Sequence, residues 1–217
     1  MILFDWLFKS IKLSYGITVC NEAIELERLL ELLVREKDLQ DEIIVLQDIT
    51  HRDQAVDEVL ERFKHSVIVK ECVLDNDFSA FKNNLLGLAS GDYLFQIDAD
   101  ELPQVALIKK IKPFLKRNFL KDCFSVPRIN IVNGISEDHI NEWKWKIDDK
   151  GRINFPDFQS RIFKLNGKIK WINKVHEILT GWQRKVNLPT KNDDYCLLHV
   201  KDIVRQSSQN EFYKHIS

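Results

Sequence analysis

The chain has no surplus of charge of either sign: 32 Lys and Arg stand against 33 Asp and Glu, a formal net charge of -1. No global field recruits nucleic acid, and a nucleic-acid partner is not expected. Cysteine is sparse and scattered. Cys20, Cys72, Cys123 and Cys196 sit far apart in apolar runs, never as C-x-x-C and without the density of a secreted scaffold, so they read as reduced core residues. No apolar run approaches the roughly 18 residues that span a bilayer. No cleavable signal peptide is evident either, so a cytoplasmic protein is expected. The opening Met1-Ile2-Leu3-Phe4-Asp5-Trp6-Leu7-Phe8-Lys9 is rich in apolar and aromatic residues. It packs on the body or touches a membrane surface, which leaves a peripheral location open. Repeats and low-complexity linkers are also missing. With 217 residues, 44% of them hydrophobic, the sequence therefore reads as a single domain of two functional halves around one sizeable core.

What is present is an alternation of strand-like and helix-like segments from about Leu13 to Asp100. Leu13 to Val19 is strand-like, and Ile24 to Arg35 carries Leu26, Leu29, Leu30, Leu33 and Val34 at helical spacing. A strand over Ile43 to Leu46, a turn at Asp48-Ile49-Thr50, a helix over Gln54 to Lys64 and a short strand over Val67 to Val69 follow. Phe78 to Ala89 is a further helix, closed by Ser90-Gly91. That rhythm predicts an α/β fold with a mostly parallel central sheet covered by helices. After Pro103 the rhythm changes to a helix over Leu107 to Leu115, a strand over Cys123 to Val126, and a polar, tryptophan-bearing stretch from Asn141 to Phe155. Arg161 to Leu165 and Lys170 to Ile172 bracket Asn166-Gly167, which predicts a hairpin. Cys196 to Val200 is the last strand candidate, followed by a helix from about Asp202.

The most informative stretch is Gly91-Asp92-Tyr93-Leu94-Phe95-Gln96-Ile97-Asp98-Ala99-Asp100-Glu101, an apolar strand that runs into acidic residues at alternating positions. In an open α/β sheet the carboxyl end of such a strand faces the ligand crevice. Carboxylates at i and i+2 of an extended chain point the same way, so Asp98 and Asp100 can reach one divalent cation, Mg2+ or Mn2+, bound to a diphosphate. A solvated acidic turn is the plainer reading of a D-x-D alone. Asp92, following Gly91, reads as structural, satisfying nearby backbone groups.

The ordered segments resemble the nucleotide-sugar glycosyltransferases of GT-A fold, family 2 in particular, over nearly the whole chain. Ile17-Thr18-Val19-Cys20-Asn21-Glu22 is similar to that family's first strand and loop, and Ile43 to Asp48 to its second strand. Phe78 to Asp100 is similar to its helix, G-D strand and D-x-D. Lys82 stands where arginine is more usual, which keeps the charge and loses the bidentate fork. The resemblance implies a Rossmann-like αβα sandwich, with a nucleotide-sugar half over about 13–100 and an acceptor half over about 101–217. It also implies a metal-dependent, inverting enzyme that takes a nucleoside-diphosphate sugar, UDP by default, to a hydroxyl on a glycan, glycolipid or glycoprotein.

Several residues gain candidate roles from that likeness. Asp48 would read the base, with Thr18, Cys20 and Glu22 lining base or ribose, whereas a turn cap and a first-turn carboxylate are the local alternatives for Asp48 and Glu22. Lys82, Asp98 and Ala99 would face the donor, and Asp100, Asp98 and His199 would hold the metal. Arg161 and Arg205 would contact sugar or diphosphate, with Lys201 as another cation there. The alternatives are a surface hairpin cation for Arg161, a solvated helix residue for Arg205 and a partly buried, carbonyl-bonded histidine for His199. Val175-His176-Glu177 resembles the V-H-E region of a bacterial and phage-type branch, which makes Glu177 the candidate base. His176 is either a ligand contact or structural. Trp143, Trp145, Trp171 and Trp182 stack on sugars or pack in the core.

Other classes fit less well. The haloacid-dehalogenase phosphatases carry their D-x-D near the first strand, but here it follows three strand–helix units. Nucleotidyltransferases open with a glycine-rich loop, yet Ile17 to Leu26 contains no glycine. A non-catalytic sugar- or nucleotide-binding domain of degenerate transferase type keeps the fold and the tryptophans. A module supplied with a further domain or partner protein is also compatible with the sequence.

Overall fold

Three strands lie side by side in the sheet, β1 (Leu13–Val19), β2 (Glu42–Asp48) and β4 (Tyr93–Asp98), and nearly all of their residues are buried. The computed structural model describes residues 10–216, so the apolar opening segment lies outside the described residues. With β3 (Ile68–Cys72) at the edge, these strands run parallel in the order β3-β2-β1-β4, and the register sets Thr18 beside both Leu46 and Asp98. Ile43 to Leu46 and Tyr93 to Phe95 are apolar at successive positions, as strands buried on both faces are, whereas β1 alternates apolar residues with the small Ser14, Gly16 and Thr18 on its other face. Helices α1 (Ala23–Glu36) and α2 (Gln54–Phe63) cover one face. Helix α3 (Phe78–Leu88) covers the other, and α4 (Val105–Arg117) joins the first pair. This is the α/β sandwich with a mostly parallel sheet that the alternation predicts.

The connection into β4 is tight. A β-carbon on Gly91 would lie 2.7 Å from Ser14 Oγ and 2.9 Å from the Lys12 carbonyl, so only glycine lets the chain pass. Asp92 accepts a hydrogen bond from the Lys12 amide at 3.0 Å, and its own amide donates to the Lys12 carbonyl at 2.8 Å. Its side chain thus ties the start of β4 to the start of β1.

Beyond β4 the sheet turns mixed. Strand β7 (Ile153–Lys164) lies antiparallel between β4 and β6 (Cys123–Asn133). Strand β11 (Leu197–Asp202) runs parallel to β6, and short β5 (Glu101–Pro103) closes that edge antiparallel to β11. The hairpin expected across Asn166-Gly167 does not form. Gly167 does turn the chain with φ at 72°, but Ile162 and Phe163 pair with β4 and β6 in the main sheet. Strand β8 (Lys170–Ile172) instead pairs with β9 (Ile178–Thr180) in a separate two-stranded sheet on α3. Burial decides this: Ile162 and Phe163 are fully enclosed between strands, while Trp171 and Leu179 fill the apolar layer over Phe81 and Leu85. Strand β6 is also much longer than the Cys123 to Val126 expected, because its polar second half is paired on both sides by β7 and β11. A short strand β10 (Lys185–Asn187) pairs with β6. Helices α5 (Glu137–Trp143) and α6 (Ile203–Ile216) complete the described residues, and none of the helices is long and apolar enough to cross a membrane.

Candidate active site

The carboxyl ends of β1, β2 and β4 open into a cavity of about 1110 Å³. Thr18, Cys20, Glu22, Asp48, Lys82, Asp98, Ala99, Asp100, Arg161, Glu177, His199 and Arg205 all line it. The crevice therefore gathers every candidate site residue from segments spread over most of the chain, at the position the topology of an open sheet dictates.

The two carboxylates of the D-x-D diverge. Asp98 takes a hydrogen bond from Thr18 Oγ1 at 2.9 Å and from Arg161 Nη2 at 2.5 Å, with Lys82 Nζ at 3.6 Å. Burial would raise its pKa, but the charges of Arg161 and Lys82 outweigh that and hold it well below the usual carboxylate range. Asp100 turns to the other side, where its Oδ2 lies 3.3 Å from His199 Nε2, 3.3 Å from Lys201 Nζ and 3.8 Å from Arg205 Nη2. Here too burial is outweighed, by the His199 contact and then the charge of Lys201, and Asp100 is held low. Among the described residues no three His, Cys, Asp or Glu side chains gather into a metal cage. The Asp100–His199 pair supplies one hard oxygen and one imidazole nitrogen facing each other in an open crevice. That donor set suits a divalent cation whose remaining ligands come from a substrate diphosphate and water.

On the opposite wall, Glu177 Oε1 lies 2.6 Å from Lys82 Nζ. Lys82 projects from α3, sits 5.1 Å from the centre of the Trp171 ring and is almost fully buried. Glu177 rides on the turn between β8 and β9, which passes through left-handed φ at Asn173 (72°) and His176 (53°). Non-glycine residues in that region mark backbone held by its surroundings, and such positions cluster at functional sites.

At the β1 and β2 ends, Asp48 Oδ1 accepts from the Thr50 amide and hydroxyl and from the Leu74 amide, so Asp48 both caps the turn and faces the crevice. The Cys20 thiol is pushed up to about 11 by burial and then by Asp48 and Glu22, which keeps it protonated. Glu22 accepts the Cys20 and Asn21 amides with one oxygen and Arg205 Nη2 at 2.7 Å with the other. Arg205 thereby latches α6 to the start of α1, and is no freely solvated helix residue.

Arg161 is no surface hairpin cation either: it is 4% exposed, and its Nη2 also donates to Glu101 Oε1 at 2.5 Å. His199 bonds a side-chain amide, Asn130 Oδ1, rather than a carbonyl of the backbone. Of the tryptophans, Trp145 and Trp171 line the cavity and Trp143 and Trp182 do not. Trp171 is buried with its indole N–H on Gln96 Oε1 at 2.8 Å, whereas Trp145 stacks on Trp143 with ring centres 4.7 Å apart. Sequence reasoning missed the buried Glu101 and, in front of it, Arg128, Asn130, Asp157 and Gln159, which form a polar part of the crevice wall. Polar residues at every second position, Arg128 and Asn130 on β6 and Asp157, Gln159 and Arg161 on β7, were its readable signature.

The sequence model of glycosyl transferase family 2 matches residues 14–176. The SPbeta prophage-derived glycosyltransferase SunS of Bacillus subtilis (strain 168) is 31% identical over 171 residues, which covers 76% of this chain and 34% of SunS. Among solved structures, S. aureus TarS 1–349 superposes with a TM-score of 0.59 at 15% identity, over 88% of this chain and 60% of that one. TarS has also been solved in complex with UDP-GlcNAc and with UDP. The mannosyltransferase PcManGT from Pyrobaculum calidifontis, in complex with GDP-Man and Mn2+, superposes with a TM-score of 0.55 at 15% identity, over 91% of this chain and 62% of that one. The chain thus spans about a third of the length of its curated relative and under two thirds of these solved chains.

Proposed function

This chain belongs to glycosyl transferase family 2, and from that premise we propose that it transfers a sugar from a nucleoside diphosphate to an acceptor hydroxyl, with inversion at the anomeric carbon. One observation carries the reading: a carboxylate–imidazole pair, Asp100 and His199, shares a crevice with an independently placed carboxylate, Glu177. Residues of about 13–100 form the donor half and those of about 101–217 the acceptor half. Asp48 takes the imide of uracil, and Thr18, Cys20 and Glu22 line base and ribose. UDP is the preferred nucleotide, in keeping with the UDP complexes of TarS. The acceptor is a glycan, glycolipid or glycoprotein hydroxyl.

Asp100 and His199 would hold Mn2+ or Mg2+, the former being the ion bound by PcManGT. When bound, that ion offsets negative charge growing on the leaving diphosphate. Glu177 accepts the proton of the acceptor hydroxyl as its oxygen bonds to the anomeric carbon from the face opposite the diphosphate. The bond between that carbon and the diphosphate oxygen breaks, and the electron pair leaves with the nucleoside diphosphate. Lys82 fixes the direction of the Glu177 carboxylate before the acceptor arrives. Lys201 and Arg205, already beside Asp100, add positive charge where the diphosphate lies. Asp98, held by Thr18 and Arg161, presents a fixed anionic edge to the donor sugar.

Calorimetric titration with UDP, GDP and dTDP, each with manganese and with chelator, tests the reading. Manganese-dependent binding of UDP, followed by turnover of a UDP-sugar, is expected. A folded protein that binds none of the three overturns it.

A further inference from the structure

The register of the mixed sheet places three polar side chains in line along the crevice wall. His199 on β11 pairs with Asn130 on β6, and Arg128, two residues before Asn130, pairs with Asp157 on β7. His199 Nδ1 lies 2.8 Å from Asn130 Oδ1, and Asn130 Nδ2 donates to Asp157 Oδ2 at 2.9 Å. Asp157 is itself saturated with donors: Arg128 Nε at 2.9 Å, Arg128 Nη2 at 2.7 Å and Gln159 Nε2 at 2.6 Å. A carboxylate surrounded by four donors is an acceptor only. Asn130 must therefore turn its NH2 toward Asp157 and its carbonyl oxygen toward His199.

That orientation has one chemical consequence. A carbonyl oxygen facing Nδ1 demands a proton on Nδ1, and a neutral imidazole with a proton there carries its lone pair on Nε2. Nε2 is the nitrogen that faces Asp100 Oδ2 at 3.3 Å, and that oxygen also has Lys201 Nζ at 3.3 Å and Arg205 Nη2 at 3.8 Å, so Asp100 has cations beside it without a proton from His199. A free neutral histidine favours the opposite tautomer, with the proton on Nε2. In that form His199 would donate to Asp100, and the two groups would satisfy each other instead of binding a cation. We propose that Asp157 and Asn130 are positioning residues that act through His199, fixing its Nδ1–H tautomer so that Nε2 and Asp100 stay available as a pair of metal donors. The part that concerns the cation rests on the transferase reading above; the tautomer itself does not.

The test uses the full chain labelled with 15N at histidine, free of metal and nucleotide, at a pH well above the ordinary histidine range. His199 signals are identified by their loss in His199→Phe. The wild-type protein is expected to carry the His199 proton on Nδ1 alone, and Asn130→Leu to move it to Nε2. Manganese affinity, read by electron paramagnetic resonance of the free ion, is expected to fall about tenfold or more in Asn130→Leu. The exchanged pair Asn130→Asp with Asp157→Asn keeps the charge and an acceptor facing Nδ1, and is expected to restore both readouts. It also serves where Asn130→Leu does not fold. A proton on Nε2 of the wild type, alone or with one on Nδ1, overturns the proposal, as does an unchanged tautomer or unchanged manganese affinity in Asn130→Leu. A wild type with the Nδ1–H form that binds no manganese upholds the relay and removes the metal from the transferase reading instead.

Discussion

Lys82 Nζ and Glu177 Oε1 meet at 2.6 Å although 95 residues separate them in the chain. Lys82 comes from α3 and Glu177 from the β8–β9 turn, so this ion pair ties two distant segments together in the crevice, where the proposed mechanism has the acceptor hydroxyl lose its proton. Glu177→Gln keeps the shape and removes the basicity. Turnover is expected to fall at least 100-fold, with UDP affinity unchanged. Single-turnover kinetics beside calorimetry check this; retained turnover would take the base role away from Glu177.

Asp100 is the one carboxylate of the D-x-D that faces His199, so its neutralisation should be felt by the metal before anything else. Asp100→Asn is expected to weaken manganese-dependent UDP binding more than tenfold, or roughly 1.4 kcal/mol and above. Binding in chelator should barely change. Equal calorimetric affinity for the two proteins with manganese present would remove Asp100 from the site. His199→Ala should lower metal affinity more than it lowers the melting temperature, and the reverse order would make His199 structural.

Over about 13–100 the fold is legible because each part is local. Leu13–Val19 alternates apolar with small residues and Ile43 to Leu46 and Tyr93 to Phe95 are apolar runs, so the strands announce themselves, and their carboxyl ends fix where Thr18, Asp48 and Asp98 lie. From about 101 onward the structure is not local. Arg161 looks like a hairpin cation until β7 is known to run between β4 and β6, and only that strand order buries it against Asp98 and Glu101. Asn130 and His199 are 69 residues apart, and no window of sequence holds the register that pairs them. The D-x-D spacing alone predicts extended chain with both carboxylates on one side, but Ala99 and Asp100 form a turn between β4 and β5, so Asp98 meets Thr18 and Arg161 while Asp100 meets His199 and Lys201 of β11.

Arg161 gives a stability prediction. Its Nη2 bridges two carboxylates, of which Glu101 is fully enclosed, so removing the guanidinium takes a partner from a buried charge at Glu101 and leaves the half-buried Asp98 to Thr18 and Lys82. Arg161→Met, close in volume, is expected to cost about 3–5 kcal/mol of unfolding free energy, read by urea denaturation at neutral pH. A loss well under about 1 kcal/mol, the scale of an exposed pair, would show that Arg128 alone neutralises Glu101.

Glu42 supplies the pH dependence. It starts β2 and gathers Lys12 Nζ at 2.8 Å, Ser14 Oγ at 2.5 Å, and the Ser90 amide and hydroxyl at 2.6 Å each, which ties β1, β2 and the approach to β4 together. Burial would raise its pKa, but the hydrogen bonds from Lys12, Ser14 and Ser90 outweigh that and hold it at about 2, against 4.5 for a free side chain. A carboxylate lowered on folding adds stability that is fully present above its unfolded pKa and disappears as pH falls through the folded one. Wild type should therefore exceed Glu42→Gln in stability at pH 7 by a constant margin down to about 4.5, and the margin should shrink toward zero as pH approaches about 2. Urea melts of the two proteins across that window measure it. A margin that stays constant to the acid end would mean that Glu42 stabilises through shape rather than charge, since a protonated carboxyl would then serve as well as the carboxylate.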